Sequence, residues 1–204
     1  MTEPTIFIVD DDAAVRDSLS LLLGLKGFST RCFAAAEDFL AACQPDWCGC
    51  LLLDIRMAGM DGLELQQAMN SSQIDLPIIF ITAHGDVTAA RSALKAGASD
   101  FLEKPLDDRM LSAAIADALE RNARQRNEAA EENEIASRIA RLTAREREVM
   151  ENVVEGQPNR EIARQLGISP RTVEVYKARM MEKMQAHSLP ELIRLVLNFR
   201  KNSG

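Results

Sequence analysis

The chain has 204 residues, 47% hydrophobic and 27% charged, which is the balance of a globular protein with room for one large core or two small ones. No apolar run approaches the roughly 18 residues of a membrane span, and MTEPTIFIVDDD lacks the basic start and apolar stretch of an export signal, so a cytoplasmic protein with no membrane partner is expected. The net charge of −7 is unevenly spread: residues 141–204 hold 12 Lys and Arg against 8 Asp and Glu, leaving an acidic front and a basic back that suits a polyanion.

In chain order, the front alternates short apolar β-type runs with helical patterns. The runs are TIFIVD (5–10), FSTRCF (28–33), CLLLD (50–54), PIIFIT (77–82) and SDFLEK (99–104). Amphipathic segments lie between them, such as VRDSLSLLLGLKG, with Gly27 as a helix stop. Strands alternating with helices predict crossover units: an α/β doubly wound, five-stranded parallel sheet over residues 1–121. Cys32, Cys43, Cys48 and Cys50 fall in this region with spacing and surroundings that fit no common zinc pattern, so small buried side chains are expected. Trp47 and the scattered methionines are expected to pack.

Residues 122–140 read as a helical linker rich in Ala, Glu and Arg, with little apolar periodicity before Glu134. From 141 to 204 the chain is all helical in four short pieces. Thr143-x-x-Glu146 is a capping box for the first, which closes at Gly156. The second ends at Gly167, and the third starts with Ser169 as N-cap and Pro170 at the first helical position. Ser188-x-x-Glu191 is a second capping box, for the last helix. The second and third pieces are joined by a short turn at Gly167 and Ile168.

In an open parallel sheet, chemistry gathers at the carboxyl ends of the strands. The first run ends Asp10-Asp11, the third Asp54, the fourth Thr82 and the fifth Lys104; only the second, ending at Phe33, offers nothing polar. Three clustered carboxylates repel, and a hard cation with oxygen ligands, Mg²⁺, relieves that repulsion. With Lys104 the cleft has the parts to accept a phosphoryl group on Asp54, since such transfer needs mainly positioning and charge neutralisation.

VDDD, LLLDIRMAGMDG, ITAHGD and FLEKP together resemble the receiver domain of two-component response regulators. LTAREREVM, GQPNREIARQLGISPRTVEVYKARMMEKM and SLPEL resemble the LuxR-type helix-turn-helix domain, and the order of the two is similar to the FixJ branch of the NarL/FixJ family. The resemblance implies Asp54 as phosphoacceptor, with Asp11, Asp54 and the backbone carbonyl of Arg56 ligating Mg²⁺ directly and Asp10 through water. It further implies that Thr82 and Lys104 bind phosphoryl oxygens, that Lys104-Pro105 is cis, and that Phe101 is an aromatic switch turning inward when Thr82 moves. The implied partners are a sensor histidine kinase, promoter DNA, RNA polymerase and a second copy of the chain on phosphorylation; the output is control, as activation, of transcription, and the protein is not an enzyme. One departure stands out. The family usually reads D-x-R-M-P-G-x-x-G, and here Ala58 replaces the proline, so the loop loses a φ restraint and an altered phosphate lifetime is expected.

The third helix of the basic part should enter the major groove with Arg171, Thr172, Glu174, Val175, Ala178 and Arg179 outward, while Arg160 and Lys177 contact phosphates. Glu174 can accept from cytosine N4, and Val175 can touch a thymine methyl. The last helix has apolar residues at 192, 193, 195, 196, 197 and 199, more than one packed face requires, which predicts a dimer contact. Simpler readings compete: Asp10 and Asp11 as helix caps, Lys104 as a solvated lysine, His84 and His187 as loop residues. Two other functions do as well: an aspartate-nucleophile phosphatase opening on Asp10 and Asp12, or a degenerate receiver that signals by contact alone.

Overall fold

Each apolar run of the acidic part becomes a strand, and the three central ones carry side chains buried on both faces. In a computed structural model that describes residues 3–82 and 93–202, the chain divides into two compact units, Met1–Arg126 and Asn127–Gly204. The first unit holds β1 (Thr5–Val9), α1 (Ala13–Leu25), β2 (Ser29–Phe33), α2 (Ala36–Ala42), β3 (Gly49–Asp54), α3 (Gly62–Ser71), β4 (Ile78–Thr82) and β5 (Asp100–Glu103). The five strands are parallel in the order β2-β1-β3-β4-β5. His84 and much of the helix expected between β4 and β5 lie outside the described residues.

The two faces carry separate cores. Phe7, Val9, Leu51, Leu53, Ile78 and Phe80 meet α2 and α3 on one side; Ile6, Ile8, Cys50, Leu52, Ile79 and Ile81 meet α1 and the long helix α4 (Asp108–Ala140) on the other. Burial on both sides is what parallel strands require. Trp47 packs as expected, stacked on Phe7 at 4.2 Å between ring centroids, with the Arg31 guanidinium 4.8 Å over it. Of the four thiols only Cys50 is buried, and burial pushes its pKa up to about 12; Cys43 and Cys48 are half-buried and Cys32 is exposed on the edge strand β2. The expectation of four buried cysteines therefore holds for one: Cys32 lies on a half-covered edge strand, Cys43 closes α2, and Cys48 lies in the segment before β3.

Helix α4 stays fastened to the first unit further along than its polar composition suggests. Asn122 is buried: its Oδ1 accepts the Gly49 N–H (3.0 Å) and its Nδ2 donates to the Asp75 carbonyl (3.2 Å). Arg126 donates to the Trp47 carbonyl (2.9 Å).

The second unit contains the end of α4, α5 (Ala144–Val154), α6 (Asn159–Leu166), α7 (Pro170–Met184) and α8 (Leu189–Asn202) around a core of Leu142, Val149, Met150, Val153, Ile162, Val173, Met180, Met184, Leu192 and Val196. Thr143 caps α5 in a full capping box, Gly167 ends α6 in the left-handed conformation (φ 66°), and Ser169 caps α7 ahead of Pro170. Half of the box expected at α8 forms: Ser188 Oγ accepts the Glu191 N–H (3.4 Å), while Glu191 Oε2 accepts the His187 N–H (2.8 Å) in place of that of Ser188. Glu146, buried, accepts the Thr143 N–H (2.8 Å) and the Lys183 ammonium (2.6 Å), tying α5 to α7.

The Lys183 ammonium and the Thr143 amide hold the Glu146 carboxyl below the usual range. Its contribution is therefore present above the unfolded value of about 4.3 and is lost as pH falls through the lower folded value. Glu146→Ala should destabilise the second unit by about 1–2 kcal/mol at neutral pH and by progressively less in acid. Melting followed at Tyr176, the chain's one tyrosine, reads this while Trp47 reports the first unit as an internal control. An Ala variant whose deficit is the same at every pH would reject the ion pair as its cause.

Candidate functional site

Parallel register sets the site. Val9 pairs with Leu53, Asp54 with Ile81 and Thr82 with Glu103, so the residues that follow or finish these strands share one edge of the sheet. There Lys104 Nζ donates to Asp10 Oδ2 (2.9 Å) and Asp54 Oδ1 (2.7 Å) at once. Both carboxylates are buried, at 2% and 7% exposure, as is Thr82. Their other oxygens accept backbone amides: Asp54 Oδ2 from Arg56 (2.8 Å) and Asp10 Oδ1 from Asp12 (2.9 Å). The Lys104 N–H donates to the Thr82 carbonyl (2.8 Å), and Lys104-Pro105 is cis.

Asp12, not Asp10 or Asp11, is the N-cap of α1, accepting from the Ala14 N–H (2.8 Å). Asp11 is exposed and turns to the loop after β3, where its Oδ2 accepts the Ala58 N–H (3.0 Å). Glu37 of α2 accepts the next but one amide, that of Met60 (3.1 Å). This loop needs its glycines. Gly59 has φ 79°, and a Cβ on the buried Gly62 would sit 2.4 Å from the Asp54 carbonyl oxygen, so only glycine lets α3 start against the end of β3. Asp61 and Glu64 then form a capping box for α3.

Burial pushes the Asp54 carboxyl above the ordinary carboxylate range; its bond to Lys104 opposes the rise and the nearby Asp10 charge adds to it. Burial would lower the Lys104 ammonium, but its bonds to Asp54 and Asp10 outweigh that and raise it, so it stays charged. The result is a nucleophile-type carboxylate, a fixed cation beside it and a buried hydroxyl, with an acidic pair in reach. The donor set suits a hard cation: Asp10, Asp11 and Asp54 offer only carboxylate oxygen. As placed, the Lys104 ammonium neutralises two of the three, and among the described residues no three acidic, histidine or cysteine side chains stand close enough together to hold an ion.

Phe101 is half-buried on β5 against the core that includes Phe80, and Pro105 and Arg56 are exposed. In the second unit the outward residues of α7 are Arg171, Glu174, Val175, Ala178 and Arg179, all exposed, while Val173, Met180 and Met184 face the core. Lys177 is half-buried. So is Thr172, whose hydroxyl lies 2.8 Å from the capping Ser169 hydroxyl and is spent locally. Arg160 is exposed near the start of α6. Two anchors of the site had no signal in a single sequence: the Glu37 carboxylate and the Ala58 amide.

Residues 6–116 match the model of the response regulator receiver domain, and residues 140–196 match that of the bacterial regulatory proteins of the luxR family. The chain is 47% identical to the transcriptional regulatory protein FixJ of Bradyrhizobium diazoefficiens, over 96% of each chain, and 43% identical to the C4-dicarboxylate transport transcriptional regulatory protein DctR of Rhodobacter capsulatus, over 94% of this chain and 98% of that one. Among solved structures it resembles the response regulator StyR (TM-score 0.89, 40% identity, 96% of this chain and 99% of that one). It also resembles full-length FixJ from B. japonicum (TM-score 0.60, 46% identity, 98% and 99%).

The raised Asp54 pKa fixes a stability prediction. A carboxyl whose folded value exceeds its unfolded value of about 3.9 contributes most favourably below that value, and the contribution declines as pH rises through the folded value. Asp54→Asn should therefore raise the melting temperature of the first unit by a few degrees at neutral pH, with the gain closing as the buffer is taken below pH ~4. Melting monitored at Trp47 measures it. A gain independent of pH would show that burial of the charge is not its source.

Proposed function

We propose that this chain, which belongs to the two-component response regulators that join a receiver domain to a LuxR-type DNA-binding domain and regulate transcription, is switched by phosphorylation of Asp54. The observation that carries the reading is the single ammonium of Lys104 shared by Asp10 and Asp54 at the carboxyl edge of the sheet. A sensor histidine kinase presents a phosphoimidazole; an Asp54 oxygen attacks phosphorus, the P–N bond breaks, and the imidazole leaves as an acyl phosphate forms. Lys104 leaves Asp10 to pair with a phosphoryl oxygen, and the Thr82 hydroxyl donates to another. Asp11, Asp54 and the Arg56 carbonyl would hold Mg²⁺, with Asp10 bound through water, and the ion supplies neutralisation of charge on the transferring oxygens. Movement of Thr82 draws the half-buried Phe101 inward and alters the surface beside β5.

The output is promoter binding and transcription activation through contact with RNA polymerase. On α7 Arg171, Glu174, Val175, Ala178 and Arg179 are all exposed, which supports their entry into the major groove, and Arg160 and Lys177 contact phosphates in this reading. The spent Thr172 hydroxyl supports a capping role in place of a base contact. Of the six apolar positions on α8, Leu192 and Val196 belong to the core, while Leu197 is exposed and Ile193 half-buried; with the exposed Leu189 they recur every four residues, which supports a homodimer contact there.

Sedimentation with beryllofluoride and Mg²⁺ tests the switch: a monomer-to-dimer shift is expected, absent in Asp54→Asn. Phosphate uptake from the kinase that is equal in that variant and the wild type would reject Asp54 as acceptor. Glu174→Ala should relax discrimination at one base pair about tenfold while leaving the salt dependence of binding nearly unchanged. Binding to a set of single-base operator variants at two salt concentrations reads both.

A further inference from the structure

Residue 58 contributes one polar group to the site, its backbone N–H, and Asp11 Oδ2 accepts that hydrogen at 3.0 Å. A proline at this position would have no hydrogen to give. Asp11 is also the strand-end carboxylate that the Lys104 ammonium does not bridge, and the three carboxylates do not converge into an ion-holding group among the described residues. We propose that Ala58 is a positioning residue: its amide holds Asp11 against the β3–α3 loop and thereby weakens the binding of a divalent cation at the Asp10, Asp11 and Asp54 edge. This rests on the reading of Asp11 as a metal ligand.

The competition is one of lone pairs and direction. An amide hydrogen on the carboxylate draws electron density from it and fixes its rotamer, and a hard cation needs both the density and the freedom to turn. The loop does not depend on this bond alone. Met60 N–H is held by Glu37, and the Asp61–Glu64 capping box follows at once, so a chain lacking the Ala58 donor keeps two anchors. The amide is thus available to regulate cation binding without being needed to shape the loop.

Calorimetric titration of the full chain with MgCl₂ tests the proposal in three proteins. Ala58→Pro, which removes the donor, should bind Mg²⁺ about fivefold more tightly than the wild type. Ala58→Ser, which keeps the amide, should match the wild type. Unchanged affinity in Ala58→Pro, or an equal gain in both variants, overturns the role of the amide. A wild-type chain that takes up no Mg²⁺ at all overturns the reading of Asp11 beneath it. Because proline can disturb a loop, the ¹⁵N-labelled wild type gives a second readout: the Ala58 amide proton should move upfield as Mg²⁺ saturates, and a resonance that stays in place overturns the proposal.

Discussion

Two buried carboxylates on neighbouring strand ends repel each other, and the Lys104 ammonium between Asp10 and Asp54 is what allows β1, β3 and the segment after β5 to finish at one place. The arrangement is demanding. An ion pair out of water must recover its desolvation through close geometry and further hydrogen bonds, and here the amides of Arg56 and Asp12 fill the remaining carboxylate positions. In the strand order β2-β1-β3-β4-β5, the Lys104 side chain spans the end of β4 to reach Asp54 and Asp10. The two edges are β2, the strand with nothing polar to contribute at its end, and β5, from which Lys104 reaches inward.

The sheet was readable because its central strands leave no choice. Three runs of four or more apolar residues, each bounded by a turn, can be satisfied only by cover on both faces, and both cores formed accordingly. Edge effects were less readable. FSTRCF has the same pattern as a half-covered strand, and nothing in it says which side chains meet solvent; Cys32 does. Asn122 was hidden for a related reason. A lone asparagine in a polar helix carries no periodic signal, and its burial depends on Gly49 and Asp75, which lie 73 and 47 positions away along the chain.

At the site, the acidic pair, the strand-end aspartate, the hydroxyl and the lysine were legible because strand ends are fixed points in a parallel sheet. Backbone donors were not. Whether the amide of residue 58 meets a carboxylate depends on where Asp11 turns after β1, and sequence offers only the absence of a proline. The loss of a φ restraint at Ala58 suggested a looser loop; the structure gives that residue a hydrogen bond in return. In the second unit the capping boxes were visible as short patterns, whereas the partner of Glu146, Lys183, lies 37 residues on and could not be.

Helix α7 has one more consequence. Its core-facing residues, Val173, Met180 and Met184, hold it to the rest of the unit, while Arg171, Glu174, Val175 and Ala178 are exposed and lie outside that core. Substitutions at such exposed positions usually change stability by less than about 0.5 kcal/mol. Descendants of this chain can therefore change the chemistry they display on that face one residue at a time, without passing through an unfolded ancestor.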